Sequence, residues 1–286
     1  MMQSYWFGDV DGGRCHPYSG DAAGLADRFL SLQISIDRFV PFDGTIALDC
    51  GFCHTRADYL SKLREMCVII AKRRIREQYR QKDTELLQMV RTLDELDTVI
   101  NLLSERVTEW HHIRQPSFSR KYRRTPVRNL VMTITQRSRG AFGRVGGDIE
   151  RLSETRAMLA REVSERADEV MPNCSALIGG LVASRLLLQA GGLQALARLP
   201  GSAIQVLGAR TALFSHLRAS TPAPKHGIIF QHRRVHNAPR PVRGRVARVL
   251  AAKLAIAARL DLYRGVLVPE FIDPAQARID AVGKGP

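Results

Sequence analysis

The residues with the clearest chemical potential are the arginines of the segment 240–245. Arg240, Arg243 and Arg245 surround Pro241 and Gly244, a composition typical of a loop. Guanidinium groups bind phosphate oxygens through paired N–H donors and stay charged at every physiological pH. We therefore expect this segment to contact phosphates of the kind that a nucleic acid presents.

A second feature suited to phosphate binding lies at residues 208–211. Gly208 and Ala209 end an apolar run, and Arg210 and Thr211 are expected to open the next helix. The first N–H groups of a helix have no partner inside it, so they attract anions. This segment is therefore also a candidate RNA contact.

The charge of the chain points in the same direction. Lys and Arg number 43 against 28 Asp and Glu, which gives a net charge of +15. Residues 110–147 contain nine Arg or Lys and no acid, and residues 170–260 contain thirteen and again no acid. A stretch of this length without carboxylates exerts no electrostatic repulsion on phosphate groups. The distribution indicates RNA or DNA as the partner; a basic surface without a specific ligand is the alternative.

One motif suggests chemistry of another kind. Residues 50–54 read Cys-Gly-Phe-Cys-His, which is the spacing of c-type haem attachment. That attachment belongs outside the cytosol, and the first residues show no secretory signal, so we expect a reducing compartment and five thiols. Cys50 and Cys53 are then buried thiols, and a labile metal site that includes Cys15 and His16 is the alternative.

The common catalytic motifs are missing from the sequence. It contains no phosphate-binding glycine loop, no dinucleotide fingerprint and no H-E-x-x-H zinc motif, and we assign no catalysis to His111 and His112. We therefore expect no catalytic residues, no cofactor and no metal.

The sequence predicts two long helices on either side of the basic stretch that follows residue 110. Apolar residues alternate four- and three-residue steps along a heptad seam. Its members, which are the candidate dimer contacts, are Leu93, Leu96, Ile100, Leu103, Val107 and Trp110. The seam predicts a helix of about 28 residues, and a weaker seam over 149–170 predicts a second long helix. We expect a long antiparallel coiled coil whose exposed seam pairs with another copy; packing within one bundle is the alternative.

A basic loop connects the two helices over 114–145 and is a candidate second RNA contact. Its basic residues are Arg114, Arg120, Lys121, Arg123, Arg124, Arg128, Arg137, Arg139 and Arg144. A flexible, solvated loop without a ligand is the alternative.

The rest of the chain completes a mainly α fold class. The first 49 residues mix Gly, Asp, aromatic residues and short apolar runs, which indicates a small α+β N-terminal unit. From residue 173 onward, Leu- and Ala-rich stretches interrupted by Gly and Pro predict a compact all-helical domain with a buried final helix over 246–262. No window reaches the roughly 18 apolar residues of a membrane span, so we expect no membrane partner.

The C-terminal segments resemble the Nop domain. The stretches that carry the resemblance are LQALARLP at 193–200, IQVLGA at 204–209, ALF at 212–214, PKHGIIFQ at 224–231, VHNAP at 235–239 and LAAKLAIAARLD at 250–261. The heptad helix resembles the coiled coil that precedes the Nop domain in the same proteins, through LDELD at 93–97 and INLLSER at 100–106.

The resemblance implies a function. The family comprises scaffold proteins of box C/D ribonucleoproteins, which guide RNA 2′-O-methylation, and a spliceosomal relative. It implies a non-catalytic, dimeric scaffold whose Nop domain binds a kink-turn RNA together with the small ribosomal-protein-like subunit already seated on it. The N-terminal unit would dock fibrillarin, the methyltransferase. A spliceosomal-type or general structured-RNA-binding Nop protein outside any methylation complex is the alternative.

The resemblance also implies an RNA contact at Gln231. In relatives this position touches the RNA, and we expect Gln231 to hydrogen-bond a splayed base. With Lys225, His226 and His232 it flanks the apolar run 227–230.

The expected organisation has four parts. These are a shortened fibrillarin-docking-like domain at 1–80, a coiled-coil dimerisation domain at 81–172, a Nop domain at 173–265 and a C-terminal tail at 266–286. The compact length resembles that of archaeal members, which implies a cytoplasmic protein, whereas a eukaryotic member would be nucleolar.

Overall fold

The computed structural model describes residues 3–32, 44–114, 127–219 and 221–283. The chain divides into two compact units, Met1–Gln81 and Lys82–Pro286. Helices dominate the described residues, and one three-stranded sheet lies near the N-terminus. The prediction of a mainly α protein with a small α+β N-terminal unit is confirmed.

In its described residues, the N-terminal unit combines a small antiparallel sheet with three helices. Its elements are β1 (Gln3–Tyr5), β2 (Gly8–Asp11), β3 (Arg14–Pro17), α1 (Ala22–Leu32), α2 (Thr45–Asp49) and α3 (Arg56–Tyr79). The strands pair in sequence order. Trp6, Phe7, Phe52 and Tyr59 pack their rings against one another in the core of this unit. Thr55 begins α3 because its hydroxyl accepts the Asp58 N–H.

The cysteines of this unit correct the prediction of five thiols. Cys15 on β3 and Cys50 after α2 form a disulfide, with their Cα atoms 5.3 Å apart. The sheet brings β3 against the end of α2, a contact between residues 35 positions apart that sequence spacing does not reveal. The bond also excludes Cys15 as a metal ligand. Cys53 is a buried thiol as predicted, and burial raises its pKa.

Two long helices, α4 (Lys82–Arg114) and α6 (Ala141–Val170), begin the second unit. Three contacts between them show their relative direction. These are Glu85 with Arg166 at 3.3 Å, Asp97 with Arg156 at 2.7 Å, and the rings of Trp110 and Phe142 at 5.0 Å. Residue numbers fall along α6 as they rise along α4, so the predicted antiparallel pair is confirmed.

Two of the six residues of the heptad seam are buried within the same chain. Leu93 is completely buried in the core that α4 shares with α6 and the C-terminal helices, and Val107 is buried with Phe142 and Ile149. The prediction of an exposed seam is therefore wrong for Leu93 and Val107, because side chains of the same chain already cover them. The remaining members are the half-buried Leu96, Ile100 and Leu103 and the more exposed Trp110.

The segment expected as a basic loop over 114–145 contains helix α5 (Val127–Arg137), and α6 begins already at Ala141. Leu130, Val131 and Ile134 form a helical apolar stripe that packs into the core around Val107. The exposed basic residues of the segment are Arg114, Arg137, Arg139 and Arg144. Arg120, Lys121, Arg123 and Arg124 lie outside the described residues, as does the side chain of Arg128.

The C-terminal lobe is built from short helices around one long central helix. They are α7 (Pro172–Ile178), α8 (Gly180–Ala190), α9 (Leu193–Arg198), α10 (Gly201–Val206), α11 (Arg210–Ala219), a 3-10 helix (Ile228–Gln231), α12 (Arg233–His236), α13 (Arg240–Tyr263) and α14 (Pro269–Gly283). The central α13 contacts α7, α9, α10 and α14.

Two boundaries in this lobe differ from the sequence prediction. The segment 240–245 is the start of α13 and not a loop, because Pro241 lies in the first turn, where no hydrogen bond from its nitrogen is needed. Within the expected C-terminal tail, residues 269–283 form α14, which buries Ile272, Ala275 and Ile279 in the main core.

Among the described residues no single helix has the length and apolar composition of a membrane span. The helices α7 and α8 reach that composition together, but they meet at an angle of 119°. Their side chains Leu177, Leu186 and Leu187 belong to the main core.

Candidate nucleic-acid interface

The predicted RNA contacts are distant in sequence but lie side by side in the C-terminal lobe. The Gly227 N–H donates to the Gln205 carbonyl at 2.8 Å, and the Ile228 N–H donates to the Leu207 carbonyl at 2.9 Å. These bonds attach the segment 225–232 to the end of α10, next to the segment 208–211.

Two glycines make this attachment possible. Gly208 has a φ of +85°, a left-handed conformation that side chains rarely adopt. A Cβ at Gly227 would collide with the Leu207 carbonyl, so the two backbones can approach only because residue 227 has no side chain. The Ile229 side chain then anchors the 3-10 helix in the core.

An aromatic cluster connects this segment to the start of α13. The Phe230 ring stacks on His226 with centroids 4.4 Å apart and lies 5.0 Å from the ring of His236. The Arg243 guanidinium sits over the same ring at 5.3 Å. The cluster joins the segment that contains Gln231 to the first turn of α13.

Arg243 differs from the other predicted phosphate contacts. Its Nη2 donates to the His236 carbonyl at 3.0 Å and its Nε donates to the Ala238 carbonyl at 3.2 Å. These bonds commit much of its hydrogen-bonding capacity to the turn between α12 and α13. Arg243 therefore supports the site from within, and its role as a direct phosphate contact stays a prediction.

Five cations of the site are exposed and have no carboxylate partner among the described residues. They are Arg210, Lys225, Arg233, Arg240 and Arg245. Arg245 also shares an exposed face of α13 with Arg248, three positions later. Sequence reasoning missed Arg233 and Arg248, although both lie in the acid-free stretch, because their placement depends on where α12 and α13 begin.

His226 and His232 contribute little positive charge to the site. Burial and the neighbouring Arg234 and Arg233 lower the pKa of His232 to about 4. Burial, followed by Arg243, lowers the pKa of His226. His232 is half-buried, and its Nδ1 atom has no hydrogen-bond partner in the part of the chain that the structure describes. At neutral pH the exposed Arg and Lys side chains, and not these two histidines, therefore offer positive charge to RNA.

Gln231 is exposed, and its side-chain oxygen accepts a hydrogen bond from Arg185 Nη1 at 2.7 Å. Arg185 lies on α8 and also contacts Asp94 and Asp97 of α4. Sequence reasoning did not identify Arg185, because no local pattern links α8 to the residues that it joins in space.

Helix α11 presents apolar side chains next to the cations. No residue of this helix is buried: Phe214 is 56% exposed and Leu217 is 73% exposed. The Arg218 guanidinium lies 4.3 Å from the centre of the Phe214 ring. Because Arg210 and Thr211 open α11, as the sequence predicts, this apolar face is continuous with the basic one. An exposed apolar face of this kind is typical of a protein contact.

The family of the chain follows from these residues and from one comparison. A family model described as "Nop: snoRNA binding domain, fibrillarin" matches residues 60–276. The chain belongs to the Nop family. The resemblance found in the sequence is thereby confirmed, and the match includes α4, α6 and the whole candidate interface of this Nop protein.

Individual relatives agree with the family match. The Nop protein is 30% identical over 273 residues to an uncharacterized NOP5 family protein of Methanocaldococcus jannaschii, with 83% of this chain and 66% of that relative covered. It is 31% identical over 224 residues to nucleolar protein 56 of Caenorhabditis elegans, with 63% and 46% covered. The chain thus spans about half to two thirds of the length of these relatives.

A solved structure also matches along its whole length. It is described as the crystal structure of a fibrillarin/Nop5p complex, and one of its chains is 26% identical to the Nop protein with a TM-score of 0.54. The match covers 99% of this chain and 100% of that chain.

Proposed function

We propose that this Nop protein is a dimeric, non-catalytic scaffold of a box C/D ribonucleoprotein that guides RNA 2′-O-methylation. The observation that carries the proposal is the set of exposed cations around Gln231, on a domain whose family is described as snoRNA-binding. Guanidinium and ammonium groups without carboxylate partners are available to neutralise RNA phosphates.

The same surface favours a composite partner. The cations suit the phosphates of a kink-turn RNA, and the adjoining apolar side chains of α11 suit a protein. The partner in this proposal is therefore a kink-turn RNA together with the small ribosomal-protein-like subunit that it carries.

Fibrillarin is the proposed second protein partner, and the unit Met1–Gln81 is its proposed docking domain. The solved structure that matches this chain is a complex of fibrillarin with Nop5p. In this proposal fibrillarin performs the methyl transfer, and the Nop protein contributes geometry by holding the enzyme and the RNA in place. The described residues contain no cluster of acids, His or Cys that could hold a metal ion.

The proposed homodimer forms through a face of α4 different from the buried part of the seam. Val99, Leu102 and Ile113 are exposed apolar residues of this helix, and Leu102 is 51% exposed. They lie at helical spacings of three and eleven residues, so they share one side of α4. The proposed coiled-coil domain is the pair α4 and α6, followed by the proposed Nop domain.

Reconstituted methylation tests this function. A box C/D guide RNA, the kink-turn subunit and fibrillarin are combined with and without this chain, and methyl transfer to a target RNA is measured. We expect transfer only when the chain is present. Equal transfer without it would contradict the methylation role, and RNA binding without fibrillarin binding would favour a structured-RNA-binding protein outside any methylation complex.

The proposed complex also suggests where in the cell the protein is located. The archaeal relative favours a cytoplasmic ribonucleoprotein, and the nucleolar proteins among the relatives favour the nucleolus for a eukaryotic member.

A further inference from the structure

Arg185 joins the proposed RNA contact to the long helix α4. Its Nη1 donates to Gln231 Oε1 at 2.7 Å. Its Nη2 lies 3.2 Å from Asp94 Oδ1 and 3.5 Å from Asp97 Oδ2. One guanidinium thus contacts three side chains, two from α4 and one from the 3-10 helix.

The charge of Arg185 is balanced within the protein. Its side chain is 19% exposed, and two carboxylates face it. The Arg156 guanidinium beside Asp97 holds the pKa of that carboxyl below its usual range, so this acid is ionised near Arg185 at neutral pH. Arg185 is therefore poorly suited to bind phosphate, in contrast to the exposed Arg240 and Arg245.

The contact with Arg185 also determines which end of the Gln231 amide faces outward. Arginine has N–H donors and no acceptor, so the Gln231 atom that faces it must be the oxygen. The amide NH2 is then directed away from Arg185. It has no hydrogen-bond partner in the described part of the protein, while the residue itself is exposed.

We propose that Arg185 is a positioning residue that presents Gln231 to RNA as a hydrogen-bond donor. It removes the rotational freedom of the amide before binding and occupies the oxygen that would otherwise accept from RNA. Gln231 then pairs with acceptor atoms, such as a base carbonyl, a ring nitrogen or a phosphate oxygen, and discriminates against exocyclic amino groups. The inference rests on the proposed RNA-binding function of this surface.

A double-mutant cycle tests the positioning role. The variants are Arg185→Met, Gln231→Ala and the double variant, and the probe is a kink-turn RNA with its kink-turn protein bound. We expect each single variant to raise the Kd about three- to tenfold, the effect of one net hydrogen bond. The double variant should bind no more weakly than Gln231→Ala, because Arg185 acts only through Gln231.

The salt dependence separates positioning from direct phosphate binding. A residue that contacts one phosphate contributes about 0.7 to 0.9 to the slope of log K against log salt. We expect Arg185→Met to leave this slope unchanged. A lower slope would show that Arg185 itself binds phosphate and would overturn the proposal, as would additive losses in the double variant.

Arg156→Met is the matched control. Arg156 makes two hydrogen bonds to Asp97, at 2.7 and 3.1 Å. Like Arg185, it is an arginine that contacts Asp97, but it does not contact Gln231. We expect Arg156→Met to lower the thermal stability of the protein without changing its Kd for the RNA probe. If Arg185→Met does not fold, Arg185→Lys keeps the charge beside the two aspartates but lacks the fork that also reaches Gln231, and the same cycle applies.

The outcome also separates this inference from the function on which it rests. If Arg240→Ala with Arg245→Ala weakens RNA binding while Gln231→Ala and Arg185→Met do not, the positioning role fails and the RNA-binding function stands. If none of these variants affects binding, the RNA-binding function itself fails.

Discussion

Two arginines of the same helical turn have different roles at the residue scale. Arg245 is exposed and has no carboxylate partner among the described residues, whereas Arg243 donates to two backbone carbonyls. Their sequence context is nearly the same, so composition alone predicts the same role for both. The difference arises from the turn 236–239, which folds back to place its carbonyls beside Arg243.

The exposed arginines supply the first prediction. Replacing Arg240 and Arg245 with Ala should weaken binding of the kink-turn complex and lower the salt slope by about 1.4 to 1.8, because two phosphate contacts are lost. Fluorescence titration at several salt concentrations measures both quantities. Arg243→Ala is the matched control and should change the slope by less; an unchanged slope in the double variant would show that the phosphate contacts lie elsewhere.

His232 supplies a prediction about pH. Its pKa of about 4 lies below the ordinary value of 6.5, so the unfolded chain binds this proton more strongly than the folded protein does. Arg233 and Arg234 oppose protonation, and Asp280 favours it. Stability should therefore fall as the pH falls from 6.5 toward 4, with an uptake of about one proton on unfolding from this residue.

His232→Asn removes this titration. Urea unfolding at several pH values between 4 and 6.5 should give a flatter dependence of the free energy of unfolding on pH for the variant than for the parent. Parallel curves would show that His232 does not titrate differently on folding.

At the element scale, helix α7 is stabilised by a residue from another helix. It starts at Pro172 after Met171, whose side chain makes no capping hydrogen bond. Asp261 of α13 takes that role: one carboxylate oxygen accepts the Asn173 N–H at 2.8 Å, and the other accepts the Cys174 N–H at 2.9 Å. Asp261 is the first acid after the long acid-free stretch, yet it is buried and adds no negative charge to the RNA surface.

Asp261→Ala should destabilise the second unit by about 3 kcal/mol, because it leaves two backbone N–H groups of α7 buried without an acceptor. Thermal unfolding followed by circular dichroism measures the loss. Asp280→Ala, which removes only the partly exposed ion pair with Arg234, is the control and should cost about 0 to 1 kcal/mol. Equal losses would contradict the capping role.

The elements also show how far the sequence predicts the fold. The long helices follow from heptad spacing, because that pattern is local. Their antiparallel direction follows from the single segment that connects them. The start of α13 at Arg240 was not predictable from composition, because Pro and Gly suit both a loop and a first helical turn. Helix α14 carries a short apolar stripe whose burial depends on the preceding helix α13 and on α7, which is about 90 residues earlier in the chain.

At the scale of the whole molecule, contacts between distant residues explain what the sequence could not predict. The disulfide joins Cys15 to Cys50, and the Arg185 network joins α8 to α4 and to Gln231. Neither has a local signature. The candidate RNA residues, in contrast, follow from charge distribution and from the family resemblance, and the structure brings the segments that carry them into contact in the C-terminal lobe.

The proposed dimer supplies a prediction at the same scale. Leu102→Glu places a charge on the exposed apolar side of α4 and should convert a dimer into a monomer, as measured by light scattering. Ile256→Glu, a change of the same chemistry at an exposed site on α13, is the control and should leave the mass unchanged. A Leu102→Glu variant with the mass of the parent would contradict this dimer face.

The proposed function requires one surface of the C-terminal lobe to recognise RNA and a protein together. The most direct measurement compares the affinity of the full chain for three probes at one salt concentration: a kink-turn RNA with its bound subunit, the same RNA alone, and a straight duplex of equal length. We expect the first probe to bind at least tenfold more tightly than either of the others. Equal affinity for all three would contradict it, because charge alone would then explain the binding.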